Sequence, residues 1–237
     1  IAGVKANYQP TNSTTVFTEL AASDNDLNRF SELDDGNNTG IAAKLGVEQQ
    51  LFRKDSLQAL KLVFNTDYIQ SDFRNVERVY NIEFNRDWNL DNTLGDQLFN
   101  TAAVEYARDT TIAASYSFQH LEFSDRYNGN RHNIAGRVQG GGWLSRFRGS
   151  VLSTNSSTQE STFNRANASV IKRFQKNWVG ARLNLENNEQ KNTVTSTFTP
   201  LSQRFTEYEV YTGRGDSTAQ FVEIGYRYRV NDSLREN

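Results

Sequence analysis

The ten residues from Phe221 to Val230 alternate with almost no error, and this alternation constrains the fold more than any other feature of the chain. Val222, Ile224, Tyr226, Tyr228 and Val230 point one way, while Glu223, Gly225, Arg227 and Arg229 point the other. Successive side chains of a β-strand leave on opposite faces, so the stretch reads as a strand with one apolar and one charged face. The same pattern returns along most of the sequence. Val179, Ala181, Leu183 and Leu185 alternate with Gly180, Arg182, Asn184 and Glu186, and Tyr80, Ile82 and Phe84 alternate with Asn81, Glu83 and Asn85. A fold built from such strands must turn its apolar faces toward something greasy and its charged faces toward water. A transmembrane barrel with a wet interior does so, and so does a soluble sandwich or barrel with a dry one.

Composition favours the first. The chain has 237 residues, a length that a single all-β domain spans, and one domain over 1–237 is expected. Only 36% of the residues are hydrophobic and the mean hydropathy is -0.71, low for a soluble domain of this length that must bury a core. A wide barrel accounts for the deficit, because its centre can be water and only an outer band must be apolar. The 15 Phe, 10 Tyr and 3 Trp argue against disorder. The absence of Cys excludes disulfides, thiolate metal sites and cysteine nucleophiles. A net charge of -2, with acids and bases interleaved along the strands, gives no case for a nucleic-acid partner. No window approaches 18 consecutive apolar residues, so no transmembrane helix is expected.

Taken in order, the chain begins with weak strands around Val4–Tyr8 and Thr14–Ala22, followed by a polar stretch over 23–39 that reads as a long loop. Strands are expected over 40–52, 57–69, 79–88, 98–107, 111–123, 132–139 and 143–154. Others follow up to Phe174 and over 178–186, 193–199, 204–212 and 221–230. This amounts to roughly twelve to fourteen strands near the length a tilted membrane strand needs. In the second half of the chain the connections alternate in length. Arg108-Asp109-Thr110, Gly140-Gly141-Gly142 and Gln175-Lys176-Asn177 are short, while those around Tyr127, Ser156 and Asn188 read as longer. Short turns at one rim and longer loops at the other are the outer-membrane arrangement. In the first half this parity fails, because the short turn Arg53–Ser56 falls on the long side.

The charged face supplies the candidate lumen residues Arg137, Arg146, Arg148, Arg182, Glu223, Arg227 and Arg229. Inside a barrel, such charges either line an aqueous path or pair and close it. Lipid-facing candidates are Ile82, Phe84, Val104, Phe147, Leu183, Ile224 and Tyr226. Trp88, Trp143, Trp178, Tyr226 and Tyr228 lie near strand ends and suit membrane-interface girdles, although β-sheets favour aromatics in any setting. Only His120 and His132 offer imidazoles, and no carboxylate stands near either at metal-ligand spacing, so neither catalysis nor a metal is expected. Asp24-Asn25-Asp26-Leu27-Asn28 opens like a calcium loop, but Arg29 stands where the turn glycine belongs. Asp34-Asp35 reads as a solvated acidic loop, and Arg214-Gly215-Asp216 as a hairpin turn. No cofactor is indicated.

The C-terminal third carries a likeness. Gly215-Asp216-Ser217, the strand Phe221 to Val230 with Asn231-Asp232-Ser233-Leu234 after it, and Tyr127-Asn128-Gly129-Asn130-Arg131-His132 together resemble large outer-membrane β-barrel proteins of Bacteroidota. The resemblance covers about half of the chain and is one of style. It implies a bacterial outer-membrane location, outer-membrane lipid as surroundings, and association with uptake, secretion or gliding machinery; it carries over no functional residue. Such barrels end in a strand with a terminal aromatic, whereas this chain runs past Val230 into a polar ending that resembles a turn toward another strand. The chain is therefore expected to be a portion of a longer protein.

The expectation is an all-β, antiparallel, up-and-down transmembrane β-barrel without enzymatic activity, acting as a pore or as a scaffold in an envelope assembly. The alternative is a soluble or surface-anchored β-sandwich that binds glycan or protein through loop aromatics such as Tyr127.

Overall fold

The structure, a computed structural model, describes residues 1–26, 38–54, 58–76, 79–90, 95–124, 126–215 and 220–234. The acidic pair Asp34-Asp35 and Asp216 of the Arg-Gly-Asp turn lie outside these residues, as does most of the loop expected over 23–39. The strands are β1 (Ala2–Thr11), β2 (Thr14–Asp24), β3 (Thr39–Lys54), β4 (Gln58–Ile69), β5 (Gln97–Arg108), β6 (Ile112–Phe123), β7 (Tyr127–Gly140), β8 (Trp143–Ser156), β9 (Gln159–Phe174), β10 (Asn177–Asn192), β11 (Gln203–Arg214) and β12 (Val222–Ser233). All are antiparallel to their neighbours and lie side by side in sequence order, β1 to β12, in one sheet. They do not form two stacked layers, and among the described residues no pairing joins β1 to β12.

Period-two alternation survives across the whole sheet because the ladders slip only twice, between Tyr8 and Thr11 and between Gln50 and Phe52. Pro10, which has no N–H to donate, falls at the first irregularity, on an edge strand where that loss is tolerated. Elsewhere a slip of one residue would carry every greasy side chain to the wrong face. One face therefore exposes a large apolar side chain from each of the twelve strands: Val4, Leu20, Leu45, Leu62, Val104, Tyr116, Ile134, Phe147, Val170, Val179, Val210 and Ile224. Leu183 and Tyr226 share this face. Opposite it runs a row of directly paired residues, Arg137, Arg146, Ser169, Arg182, Glu209 and Arg227.

Residues 79–88, expected as a strand, are not one. They belong to the β4–β5 connection, with a short helix α1 (Phe84–Asp87), and they fold back over the polar face. Ile82 and Phe84 are accordingly not part of the apolar sheet face: Ile82 is exposed on the connection, and Phe84 packs against the buried cluster beneath it. A second strand, expected over 193–199, is a turn held by a single bridge between Lys191 and Phe198. Conversely, the stretches around Tyr127, Asn155 and Asn188, expected as loops, continue β7, β8, β9 and β10.

Removing the false strand at 79–88 moves the connection after Lys54 to the expected rim, although the two rims do not divide cleanly by length. The three-residue connection after Lys54 now shares a rim with Asn12-Ser13, 109–111, 141–142 and 175–176, all short, and with the longer 215–221. The opposite rim carries the longer connections 25–38, 70–96 and 193–202, but also the brief 124–126 and 157–158.

Large rings are seated over glycines directly across the ladder. Phe17 covers Gly46, Phe147 covers Gly136, and Tyr211 covers Gly180, and in each case a Cβ on the glycine would overlap the ring. A strand glycine forfeits packing, and the neighbouring ring supplies it. We expect Gly180→Ala to displace Tyr211 and to destabilise the sheet by about 1–3 kcal/mol. Gly140→Ala, where the added methyl meets nothing, should change stability by less than about 0.5 kcal/mol. Urea unfolding of the two variants side by side checks this.

Candidate functional site

The most constructed part of the molecule is the polar face together with the β4–β5 connection folded onto it. Tyr80, Phe84 and Trp88 recur at four-residue spacing, so a helical turn brings them to one side. Tyr80 and Phe84 stack with centroids 4.0 Å apart, and Trp88 meets Phe99 of β5 edge-on at 5.5 Å. Trp88 is 0% exposed and sits in a cluster with Leu121, Phe123, Tyr127, Leu152 and Phe163, drawn from β6 to β9. The Arg131 guanidinium lies 4.3 Å over the indole. Such a desolvated cation–π contact contributes on the order of 2 kcal/mol. The Tyr127 hydroxyl donates to the Trp88 carbonyl.

Asn89 next to it is the polar anchor. It is buried and has φ +48°, the left-handed region that Asn adopts more readily than most side chains. Its amide donates to Ser161 Oγ at 2.8 Å and to Asn188 Oδ1 at 2.9 Å, and its carbonyl oxygen accepts from Asn188 and from Gln190, each at 3.0 Å. Two ion pairs flank this network: Asp87 with Arg165 at 2.7 Å and Arg86 with Glu186 at 3.0 Å. At the ends of the connection, Arg74 N–H donates to Ser23 Oγ, and Asp96 accepts from the Tyr68 hydroxyl and from the Ser71 N–H. Those last bonds, the Ser71 amide first, hold the Asp96 carboxyl below the usual carboxylate range. Burial pushes the Tyr80 phenol up, and its oxygen accepts from Gln97.

The seven charged residues singled out from the sequence all fall on the same face as Trp88, but they are not one cluster. Arg182 and Arg227 both pair with Glu209, at 2.8 and 3.1 Å. Glu223 accepts from the Trp178 indole, and Arg229 lies over Phe205 and donates to Asn231. Arg137, Arg146 and Arg148 stand together on β7 and β8, beside a cavity of about 600 Å³. This cavity is bordered by strands from β2 to β8, so the sheet curls toward its polar face.

Of the five aromatics expected at membrane interfaces, Trp143, Tyr226 and Tyr228 lie exposed on the apolar face. Trp88 does not belong with them. Its place is the centre of the buried cluster, because α1 turns it inward. Trp178 is corrected as well: it occupies an even position in β10, on the polar face with its N–H engaged by Glu223. His120 and His132 are on the apolar face, bonded to Asn130 and Tyr116, and among the described residues no group of three His, Asp or Glu stands together to hold a metal. Tyr127, expected as a loop aromatic, is instead buried in β7. Asn89 and the Asp87–Arg165 pair were not singled out from the sequence, and the four-residue spacing of Tyr80, Phe84 and Trp88 was the one local signal that pointed to them.

Replacing Asn89 by Leu keeps the branched outline but adds bulk and a side chain ill suited to φ +48°. It also leaves the Asn188 and Gln190 amides without their partner while Ser161 keeps Thr154, at about 1–3 kcal/mol for each buried group that stays unpaired. We expect Asn89→Leu to release the 79–90 segment, seen as faster amide exchange and proteolysis there, while the β5–β9 ladders keep their protection.

Compared with known proteins, the chain matches no protein-family model and shows no significant match to a curated protein.

Proposed function

We propose that this chain forms the wall of a non-enzymatic outer-membrane β-barrel, with its apolar face toward lipid and its polar face toward an aqueous interior. One observation carries the reading: every one of the twelve strands turns a large apolar side chain outward on one face, and nothing among the described residues covers that face. A soluble protein seldom exposes a contiguous apolar surface of this extent. In a bilayer the same surface is matched to its surroundings. The strands run from 10 to 16 residues, enough to cross a hydrocarbon core that takes about 9–11 tilted residues. A membrane-embedded sheet must also satisfy the free backbone groups along β1 and β12, and ring closure does so. The resemblance of the Phe221 to Leu234 stretch to Bacteroidota outer-membrane barrels supports the same location.

Within this reading the folded-in connection favours an occluded passage over an open one. Arg74 at one end of the described connection bonds Ser23 in β2 and Asn89 at the other bonds Asn188 in β10, with Asp87 paired to Arg165 between them. The protein then serves either as a gated pore or as a scaffold within an envelope assembly for uptake, secretion or gliding.

Sidedness is directly testable because the chain contains no Cys. Ala168 and Ser169 are small neighbours on opposite faces of β9, opposite Leu183 and Arg182 of β10. In outer-membrane vesicles, Ala168→Cys should resist a membrane-impermeant maleimide while Ser169→Cys reacts once the vesicles are opened. The reverse pattern, or recovery of the chain in the soluble fraction, overturns the proposal. In planar bilayers the native chain should show low conductance, and Asn89→Leu should raise it; if both are silent, the scaffold role stands and the pore role falls.

A further inference from the structure

Charges on the polar face are balanced in most places. Lys5 pairs with Glu19, Lys44 with Asp67, Lys61 with Glu48 and Glu105, Arg86 with Glu186, and Arg165 with Asp87; Arg182 and Arg227 share Glu209. Among the described residues, Arg131, Arg173 and Arg229 on the same face also make no ion pair, but at one place three such arginines adjoin. Arg137 and Arg146 are direct cross-strand partners, where side chains stand roughly 5 Å apart at Cβ and like charges repel. Arg148 follows two residues after Arg146 on the same face, which puts a third guanidinium about 7 Å further along. Arg137 donates to Gln139, while its buried Nε has no partner. Among the described residues, the side chains of Arg146 and Arg148 make no hydrogen bond or ion pair.

No acid is placed to relieve them. Their neighbours in the ladder are Ala113, Ala135, Asn167 and Ser169. The nearest carboxylate in the row of Arg148 is Glu105, three strands away and so roughly 14 Å along the sheet, and it is already held by Lys61 at 3.2 Å. On the other side Glu209 is shared between two arginines. The residues between the triad and Glu105 are small, and the space they leave is the cavity of about 600 Å³, whose far side is lined by Glu48 and Glu105, both paired with Lys61. This is within the range of roughly 300–1,000 Å³ usual for small-molecule sites.

We propose that Arg137, Arg146 and Arg148 form a binding site for a compact oxyanion, with a phosphate group as its ligand class. Each guanidinium presents a planar fork of donors that meets phosphate oxygens two at a time. A dianion between three such forks removes the repulsion that the ladder imposes and supplies an acceptor to the unsatisfied Arg137 Nε. The alanines and serine beside the triad leave room for the rest of a phosphorylated small molecule. Anion binding of this kind follows from the face itself and holds whether or not the sheet stands in a membrane.

The test uses the whole chain in detergent micelles at low ionic strength, titrated with inorganic phosphate in a calorimeter, with chloride as the reference for simple charge screening. Phosphate should bind at least tenfold more tightly than chloride. Arg146→Gln should weaken phosphate at least tenfold, whereas Arg229→Gln, on the same face but outside the triad, should change it less than twofold. Phosphate should also raise the thermal midpoint of the native chain and leave that of Arg146→Gln unmoved. In phosphate-free buffer, Arg146→Gln should melt no lower than the native chain, since it relieves a like-charge pair, so a folding defect is separable from lost binding. Phosphate binding no better than chloride overturns the site, as does equal loss from Arg146→Gln and Arg229→Gln. Membrane insertion is read by the labelling experiment, so the two proposals fail independently.

Discussion

Everything in this molecule depends on the unbroken antiparallel ladder that keeps odd and even residues on their own sides through twelve successive strands. Hydrogen bonding between neighbours in sequence gives each strand a fixed register, and two small irregularities near Tyr8 and Gln50 are all that interrupt it. Because side chains repeat every two residues, this backbone regularity becomes a chemical partition. Val104 and Leu183 are carried to one side while Glu105 and Arg182 are carried to the other. Among the described residues no helix layer and no second sheet shares the task, so the partition accounts for most of the architecture.

The polar side is organised by compensation. Charged groups that face each other across the ladder are matched acid to base, and Asn, Gln and Ser fill the intervals with hydrogen bonds such as Asn167 to Asn184 and Asn184 to Glu207. The β4–β5 connection adds a small greasy island around Trp88 within this wet surface, sealed by Arg131 above and by the Asn89 network beside it. Burial of one ring and satisfaction of one amide thus hold a segment that makes no ladder of its own. The three arginines of β7 and β8 stand out because the rule of compensation lapses there.

Much of this was legible in the sequence, and the misses have a shared cause. Strands such as 178–186 and 221–230 were recognisable because one side meets greasy surroundings and the other meets water, which is what alternation encodes. The stretch from Tyr80 to Trp88 also alternates, yet its aromatics are spaced by four as well as by two, and short runs carry both periods at once. The helical period prevailed because Trp88 and Phe84 find a distant pocket lined by Phe99, Leu121 and Phe163. Stretches such as Asn187–Asn192, and Asn155–Glu160 apart from its two-residue turn 157–158, looked like loops by composition. They are strand because Asn188, Gln190, Ser161 and Gln159 are buried against a segment some seventy to a hundred residues away, and no local window contains that partner. The face on which Arg137, Arg146 and Arg148 lie could be read from their positions; that they lack acids could not, because pairing depends on which strands become neighbours.

The clasp around Asn89 has a temporal side. Its partners Ser161, Asn188 and Gln190 all come later in the chain, the last of them 101 residues on. Trp88 similarly waits for Leu121, Tyr127, Leu152 and Phe163. A strand of this sheet can zip onto its predecessor as soon as it emerges, with only a short loop to close. The 79–90 segment does not have its full set of partners until β10 is in place, so the later strands are laid down beside a polar face whose own cover is the last piece to settle.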